Sequence, residues 1–365
     1  MKKSISFITI FFIIIIILIF SNIVNAEVMQ AYFYHGYNYG SEANINPLHL
    51  ILNGGYGIMQ MDNRTNDPTT IDYRAGWKNV WRNLKNPVKA IEQEGWDEFL
   101  LTQVVPVSIN RKQAYYWPNY SQHLIGGGMS YRMMVEWFDY YNFKYPKLHA
   151  LTTMTYYHFL NEIVENSDYV GYNTDAIADM YIFNPLGILI FSSDKVSRFF
   201  SQTLNMRDWS YQFSYDPVHK QIENNGQNFS LKYFFNREKK VGLFYHYGTH
   251  GEFGLSFKRE NGTCWSFAGG FIANKLVNLS DRDDLRALTA DLVPTAGIFY
   301  DRNNSLLASL MYSKTQDYFL RLNVYPGLVH LWKLSPGFYI TFNQEKKASV
   351  GINFNFLPIG IGKLL

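Results

Sequence analysis

From about Trp209 to Phe356 the chain alternates apolar and polar residues, and this period of two is its strongest constraint. The clearest run is the last one. Val350, Ile352, Phe354 and Phe356 alternate with Gly351, Asn353 and Asn355. Phe338, Ile340 and Phe342 alternate with Tyr339 and Thr341, and Tyr211, Phe213 and Tyr215 with Gln212 and Ser214. The same pattern runs through Phe229, Leu231, Tyr233 and Phe235, then Val241, Leu243, Tyr245 and Tyr247, then Phe253, Leu255 and Phe257. Side chains two apart share a face of an extended strand, so each run has one apolar and one polar face. Turn signals separate the runs: Asp216-Pro217, Asn224-Asn225-Gly226, Asn236-Arg237-Glu238, Asn261-Gly262, Asp301-Arg302-Asn303-Asn304, Pro336-Gly337 and Gln344-Glu345-Lys346-Lys347. Asn-Gly is a strong hairpin signal. The spacing predicts a mainly β fold with a helical segment: an antiparallel β-barrel of about 8 to 12 strands preceded by a compact group of helices.

Two solvents could face such strands, and composition chooses between them. Aromatic residues make up 18% of the chain and charged residues 17%, while mean hydropathy is only −0.18. The apolar faces carry large aromatics. The polar faces are rich in Asn, Ser, Thr and Gly rather than Lys and Glu. That favours a barrel in a membrane over a soluble β-sandwich or lipocalin-like barrel. The aromatic content excludes a disordered chain, and a net charge of +3 gives no footprint for nucleic acid. Cys264 is the only cysteine, so an intrachain disulfide and a multi-cysteine zinc site are both excluded.

The start of the chain fits the same destination. Lys2 and Lys3 precede an apolar stretch over 4–20, and Val24-Asn25-Ala26 resembles a cleavage site. We expect an export signal over residues 1–26, retention as an anchor being the alternative. Met180 to Phe191 is the best later apolar stretch, and Asn184 and Pro185 interrupt it. The expected division is a signal (1–26), an N-terminal region with a strand at Leu48 to Met61 (27–74), a helical segment (75–204), the barrel (205–357) and a tail (358–365). The expected location is the outer membrane, with the periplasm as alternative. Its partners there would be outer-membrane lipid and the barrel-assembly machinery.

The helical segment concentrates polar residues. An N-x-x-x-H-x-x-G-G-G stretch runs from Asn119 through His123 to Gly128. His158 and Glu162 are four apart on one helix face, as are Asp175 and Asp179 on the next helix. A short connection would make those helices antiparallel neighbours. The candidate site is therefore His123, His158, Glu162, Asp175 and Asp179, able to bind a divalent metal or do acid–base work on a lipid or glycan ester. Helix caps and structural hydrogen bonds account for the same residues equally simply. The identity of any metal is left open, and no cofactor motif is present: Walker A, a complete dinucleotide fingerprint, H-E-x-x-H and G-x-S-x-G are all missing. His246 and His250, with Gly248 between them and Gly251 following, read as a hairpin rather than a metal site.

The block from Asn119 to Gly187 resembles a Gram-negative envelope family that carries a domain of unknown function. The matching positions are Asn119, His123, Gly126, Glu136 with Trp137, Pro146, Thr152 and Glu162. The spacing to Glu136 is shorter than in that family, and the Glu/Trp order is reversed. Asp175, Asp179, Asn184 and Gly187 are similar to D-x-x-x-N-x-x-G segments of VanZ-like membrane proteins. The first resemblance implies barrel-like strands after the helices; neither implies an activity. The expected function is an outer-membrane barrel of structural or transport character with a helical plug or periplasmic helical segment. The alternative is an envelope lipid- or glycan-modifying hydrolase using the His/carboxylate cluster.

Overall fold

The computed structural model describes residues 30–62, 64–110, 115–235, 240–355, 357 and 359–365. The signal over 1–26, the Asn236-Arg237-Glu238 turn and Phe356 lie outside the described residues.

One sheet of 13 strands dominates the chain. Its strands are β1 (Arg207–Asp208), β2 (Ser214–Asp216), β3 (Gln221–Glu223), β4 (Phe229–Phe234), β5 (Val241–Tyr247), β6 (His250–Lys258) and β7 (Thr263–Asn278). They continue with β8 (Leu288–Arg302), β9 (Ser305–Ser313), β10 (Leu320–Val324), β11 (Gly337–Phe342), β12 (Ala348–Asn353) and β13 (Gly360–Leu364). The spatial order is β1, then β4 through β13 in sequence, then β2 and β3. All pairs are antiparallel except β13 and β2, which are parallel.

The sheet is thus mixed and has more strands than the 8 to 12 antiparallel ones expected. Two causes are visible. Residues expected as a tail form β13, in which Gly360 and Gly362 alternate with Ile361 and Lys363. At Gly362 a Cβ would lie 2.6 Å from the Tyr339 hydroxyl, so only glycine lets this last strand close on the sheet. In addition, the runs 207–216 and 221–234 are each broken into two short strands. The breaks are local. Trp209 N donates to Asn228 O (2.8 Å) and Tyr211 N to Gly226 O (3.0 Å), in step with the Asp208–Phe229 and Ser214–Glu223 pairings.

The sheet buries its polar face. Ser230, Lys232, His246, Glu252, Ser256, Ser266, Asp301, Ser309, Arg321 and Asn323 are buried, while Tyr233, Leu243, Phe253, Leu255, Phe267, Ile298, Leu310, Phe342 and Ile352 are exposed. The sheet also curls strongly. Tyr211 reaches Met311 on β9 (Oη to Sδ 2.9 Å), and Gln212 Nε2 donates to Val324 O (3.0 Å) and Phe338 O (3.1 Å). In a flat sheet with strands ~4.8 Å apart, β2, which follows directly on Tyr211 and Gln212, and β9 would lie roughly 24 Å from each other. Trp209, Phe244, Phe299, Met311 and Tyr325 pack in the enclosed interior. Lys232 Nζ forms an ion pair there with Asp301, and Trp209 lies 4.8 Å from the ammonium.

The helices are α1 (Pro47–Gly55), α2 (Tyr73–Lys85), α3 (Pro87–Glu94), α4 (Gly128–Tyr140), α5 (Pro146–Glu165), α6 (Asp175–Ala178) and α7 (Asn184–Phe191), with wider π turns at Asn119–Gly127 and Asp179–Phe183. The strand expected at Leu48 to Met61 is instead α1 and a 3-10 turn. Asn46 Oδ1 accepts from His49 N (2.9 Å) and Pro47 takes the first helical position, a start signal that outweighs the apolar run. Pro185 does not end the helical run: Asp175–Ala178, the π turn Asp179–Phe183 and α7 follow one another without a break, and the wider turn lies directly before Pro185.

The helical assembly meets the turns at one rim of the sheet. Gln122 donates to Gly248 O, Tyr172 N to Asp284 O, and Gln316 N to Asp62. At the opposite rim, Gly40 N donates to Pro326 O, and Ser41 Oγ to Asp208 O.

The buried pair yields a stability prediction. Asp301→Ala leaves Lys232 charged and unpaired, and should cost about 3–5 kcal/mol. Replacing both by apolar residues, Lys232→Met with Asp301→Leu, should recover most of that loss. Urea titration of the folded fraction reads both. A single-variant loss below about 1 kcal/mol would mean that the pair is solvated.

Candidate functional site

Glycine makes the site possible. The Gly126-Gly127-Gly128 run lies where the helix through His123 crosses α7. A Cβ on Gly187 would meet Leu124 O at 2.6 Å, and one on Gly128 would meet Gly187 O at 2.7 Å. Backbone contact at this crossing brings His123 onto the next helix. Its Nδ1 contacts Asn184 Oδ1 (3.0 Å), and its Nε2 contacts Asp179 Oδ2 (3.1 Å). The ring of His158, one turn before Glu162 on α5, lies 5.3 Å from that of His123, centroid to centroid. A Cβ on Gly127 would stand 3.4 Å from His158 Nε2.

Glu162, Asp175 and Asp179 each offer a carboxylate oxygen, and the three oxygens lie within 4.8 Å of one another. The connection between α5 and α6 holds them there. Asn173 Oδ1 caps Asp175 N (3.0 Å), Asn173 Nδ2 donates to Asn166 Oδ1 (2.7 Å), and Asn83 Oδ1 accepts from Asn173 N (3.2 Å). All five residues proposed from the sequence therefore gather in one place. His123 and Asp179 touch, His158 stacks beside His123, and Asp175 completes the carboxylate group.

Sequence reasoning missed Asn184 as the second partner of His123. It also missed Glu94, which accepts from Thr174 Oγ1 beside Asp175.

The electrostatics are unusual for so many acids. Among the described residues, no Lys or Arg forms an ion pair with Glu162, Asp175 or Asp179. Arg64 and Arg286 stand beside Glu165 instead. Burial, reinforced by the neighbouring carboxylates, pushes Glu162 and Asp179 well above the usual carboxylate range. The same two causes raise Asp175 to about 8, and burial raises Glu94 to about 7. Burial lowers His123 to about 4, against the hydrogen bond to Asn184, and holds His158 far below its ordinary value. The cluster by itself is therefore neutral: protonated carboxyls beside neutral imidazoles.

Three of its atoms are buried without a hydrogen-bond partner: His158 Nδ1, Glu162 Oε2 and Asp179 Oδ1. A divalent cation at ligand distances of about 2.0–2.6 Å fits a group of oxygens this close, and would displace the protons. Asp175 is only partly buried and marks the side nearest solvent. A surface groove of about 500 Å³ is lined by Tyr34, Tyr37, Asn46, Trp137, Tyr141 and Asn355 among others and includes none of the five residues.

A second His/carboxylate group lies on the β5–β6 hairpin. There His246, His250 and Glu252 bring a ligand atom each within 4.8 Å. The signal for it was present in the sequence: all three numbers are even, and a short turn at Gly248-Thr249 places 246 opposite 252. Comparison with family models, with curated proteins and with solved structures finds no match.

The raised carboxyls set a pH dependence. Asp175 binds its proton more tightly folded (about 8) than unfolded, where a carboxyl titrates near 3.9. The folded state then holds more protons than the unfolded one between those values, so stability falls as pH rises. The contribution is complete below about pH 4 and is lost as pH passes through about 7 to 8. In chelator-treated buffer the helical circular-dichroism signal should melt at a lower temperature at pH 8.5 than at pH 7, a window above the titration of the two histidines, whose lowered values act in the opposite sense at lower pH. Glu162→Gln should reduce that difference. A midpoint that rises with pH would contradict the neutral cluster.

Proposed function

We propose that this chain is an outer-membrane β-barrel of structural character, with its helices held against one rim and along one flank. The observation that carries the reading is the polarity of the sheet: buried Ser, Asn, Lys, Glu and Asp inside, and exposed Phe, Leu, Ile and Tyr outside. In water that arrangement is inverted, whereas in lipid it is the favourable one. Phe253 at 66%, Ile361 at 62% and Leu243 at 57% are the most exposed large apolar residues on the strands and belong to this outer band.

The register of the sheet supports a closed ring. Its two ends, β1 and β3, are halves of the same hairpin, because β1 and β2 lie on the run 207–216 and β3 and β4 on the run 221–234. In this reading those two runs and β5 to β13 form a ring of about eleven staves. An odd up-and-down ring requires one parallel neighbour pair, and β13 with β2 supplies one. The strands β6 to β9 have 9, 16, 15 and 9 residues, enough for a tilted crossing of ~9–11 residues. The strands β10 to β13 have 5 or 6. Exposed Trp77 and Trp81, stacked at 6.1 Å on α2, suit a headgroup layer at the helical rim.

Transport through the ring is the weaker half of the expectation, because Trp209, Phe244, Phe299 and Tyr325 occupy its interior. A second reading is favoured by the convergence on Glu162. There the helices carry a divalent-cation centre, with His123, Glu162, Asp175 and Asp179 as its donors. The hydrolase alternative would build on that centre, and it further needs a substrate path to a cluster that lies away from the main groove.

The barrel reading has a direct test. Extracted in mild detergent, the unheated protein should migrate differently on a gel from the boiled protein, and Phe267→Arg should lower the folded fraction by about 2–4 kcal/mol. Full solubility without detergent, with identical mobility before and after boiling, would overturn it.

A further inference from the structure

We propose that His246, His250 and Glu252 form a binding site for a transition-metal dication of the zinc and iron(II) class, on the buried polar face of the β5–β6 hairpin. The site does not depend on the membrane reading or on the helical cluster; it rests on the hairpin alone.

The backbone fixes its geometry. His246 on β5 is the register partner of Glu252 on β6, and the turn Gly248-Thr249 lets His250 fold back over His246. His250 Nε2 lies 2.7 Å from His246 Nδ1, and His246 Nδ1 lies 3.5 Å from Glu252 Oε2. Two imidazole nitrogens and one carboxylate oxygen at these separations can share one ion at bond lengths of ~2.0–2.2 Å. Two histidines with one carboxylate, leaving coordination positions open, is a donor set suited to zinc or iron(II) and poorly suited to magnesium or calcium.

Hydrogen-bond accounting points the same way. A neutral imidazole has one N–H and one lone pair. Whichever ring donates across the 2.7 Å contact, one N–H and one lone pair remain, and both His246 Nε2 and His250 Nδ1 are buried without a partner. Glu252 Oε2 is orphaned as well, while its Oε1 accepts from Thr295 Oγ1 (2.8 Å) and so has a fixed orientation. Three unsatisfied atoms in one group no more than 5% exposed are costly without a ligand. An ion that takes a lone pair from each ring and an oxygen from Glu252 removes the carboxylate and lone-pair deficits together. The N–H that His246 then keeps lies among the aromatic rings of Phe299, Trp209 and Phe244. A small cavity of about 20 Å³ is lined by Thr295, which holds Glu252, and by Ile272, the register partner of His250.

The test uses the full-length protein in detergent, stripped with chelator and loaded with Co²⁺ as a spectroscopic stand-in. The wild type should show visible d–d absorption that Zn²⁺ displaces. His250→Asn and Glu252→Gln should each weaken Co²⁺ binding at least tenfold, with near-ultraviolet circular dichroism unchanged. The double variant Glu162→Gln with Asp179→Asn, which disables the helical cluster, should keep the absorption. Loss of the absorption in that double variant together with its retention in His250→Asn would overturn the proposal and assign the metal to the helices. Absence of absorption in the wild type would overturn it too. Should the hairpin variants fail to fold, zinc-edge X-ray absorption of the helical double variant decides. Two imidazole nitrogens around the zinc support the hairpin site, and none overturns it.

Discussion

Each strand wall of this protein depends on which parity of residue faces inward. On β4 and β5 the even positions Ser230, Lys232, Phe244 and His246 are buried, and the odd positions Tyr233 and Leu243 are exposed. A slip of one residue would carry Lys232 into the outer band and strand Asp301 without its partner. The interior is therefore held in register by polar interactions as much as by packing. Lys232 with Asp301, Glu252 with Thr295, and Gln212 with two backbone carbonyls each tie distant strands together. Such contacts are directional, so they specify one curl of the sheet where an apolar interior would tolerate several.

The helical cluster rests on a different constraint, the close approach at Gly128 and Gly187. Only backbone contact there lets His123 reach both Asp179 and Asn184. Any side chain at those positions would push the helices apart and separate the imidazole from the carboxylates. The consequence is electrostatic. Glu162, Asp175 and Asp179 share a volume with no Lys or Arg in an ion pair with them among the described residues, and burial favours their protonated forms unless a cation takes the place of the protons.

The sequence made the strands legible because lipid-like and polar faces alternate at a period no helix reproduces. The site residues were legible through their spacing of four, which places them on common helix faces. Two things were hidden. At Leu48 to Met61 the local apolar run outweighed the Asn46-Pro47 start signal, although the cap decides the backbone. At His246 and His250 the intervening glycines drew attention to the turn, while the shared parity of 246, 250 and 252 was the informative feature. Parity becomes useful only once the inward face is known, and that is a property of the whole sheet.

The stretch from Asp208 to Ser214 explains why the helices lie where they do. Every residue in it is buried, on both faces of the run. One face belongs to the interior, through Trp209 and Tyr211. The other side of the run does not reach solvent. Instead α1 lies along it, with His49 Nε2 and Asn53 Nδ2 both at Tyr211 O (3.0 and 3.1 Å) and Asn53 Oδ1 accepting from Gly226 N (2.9 Å). This run also carries the parallel pairing of β2 with β13, which is slightly less stable per residue than an antiparallel one. The helices thus cover the wall segment that carries the parallel pairing. In the barrel reading, that flank is the one place where protein rather than lipid completes the wall.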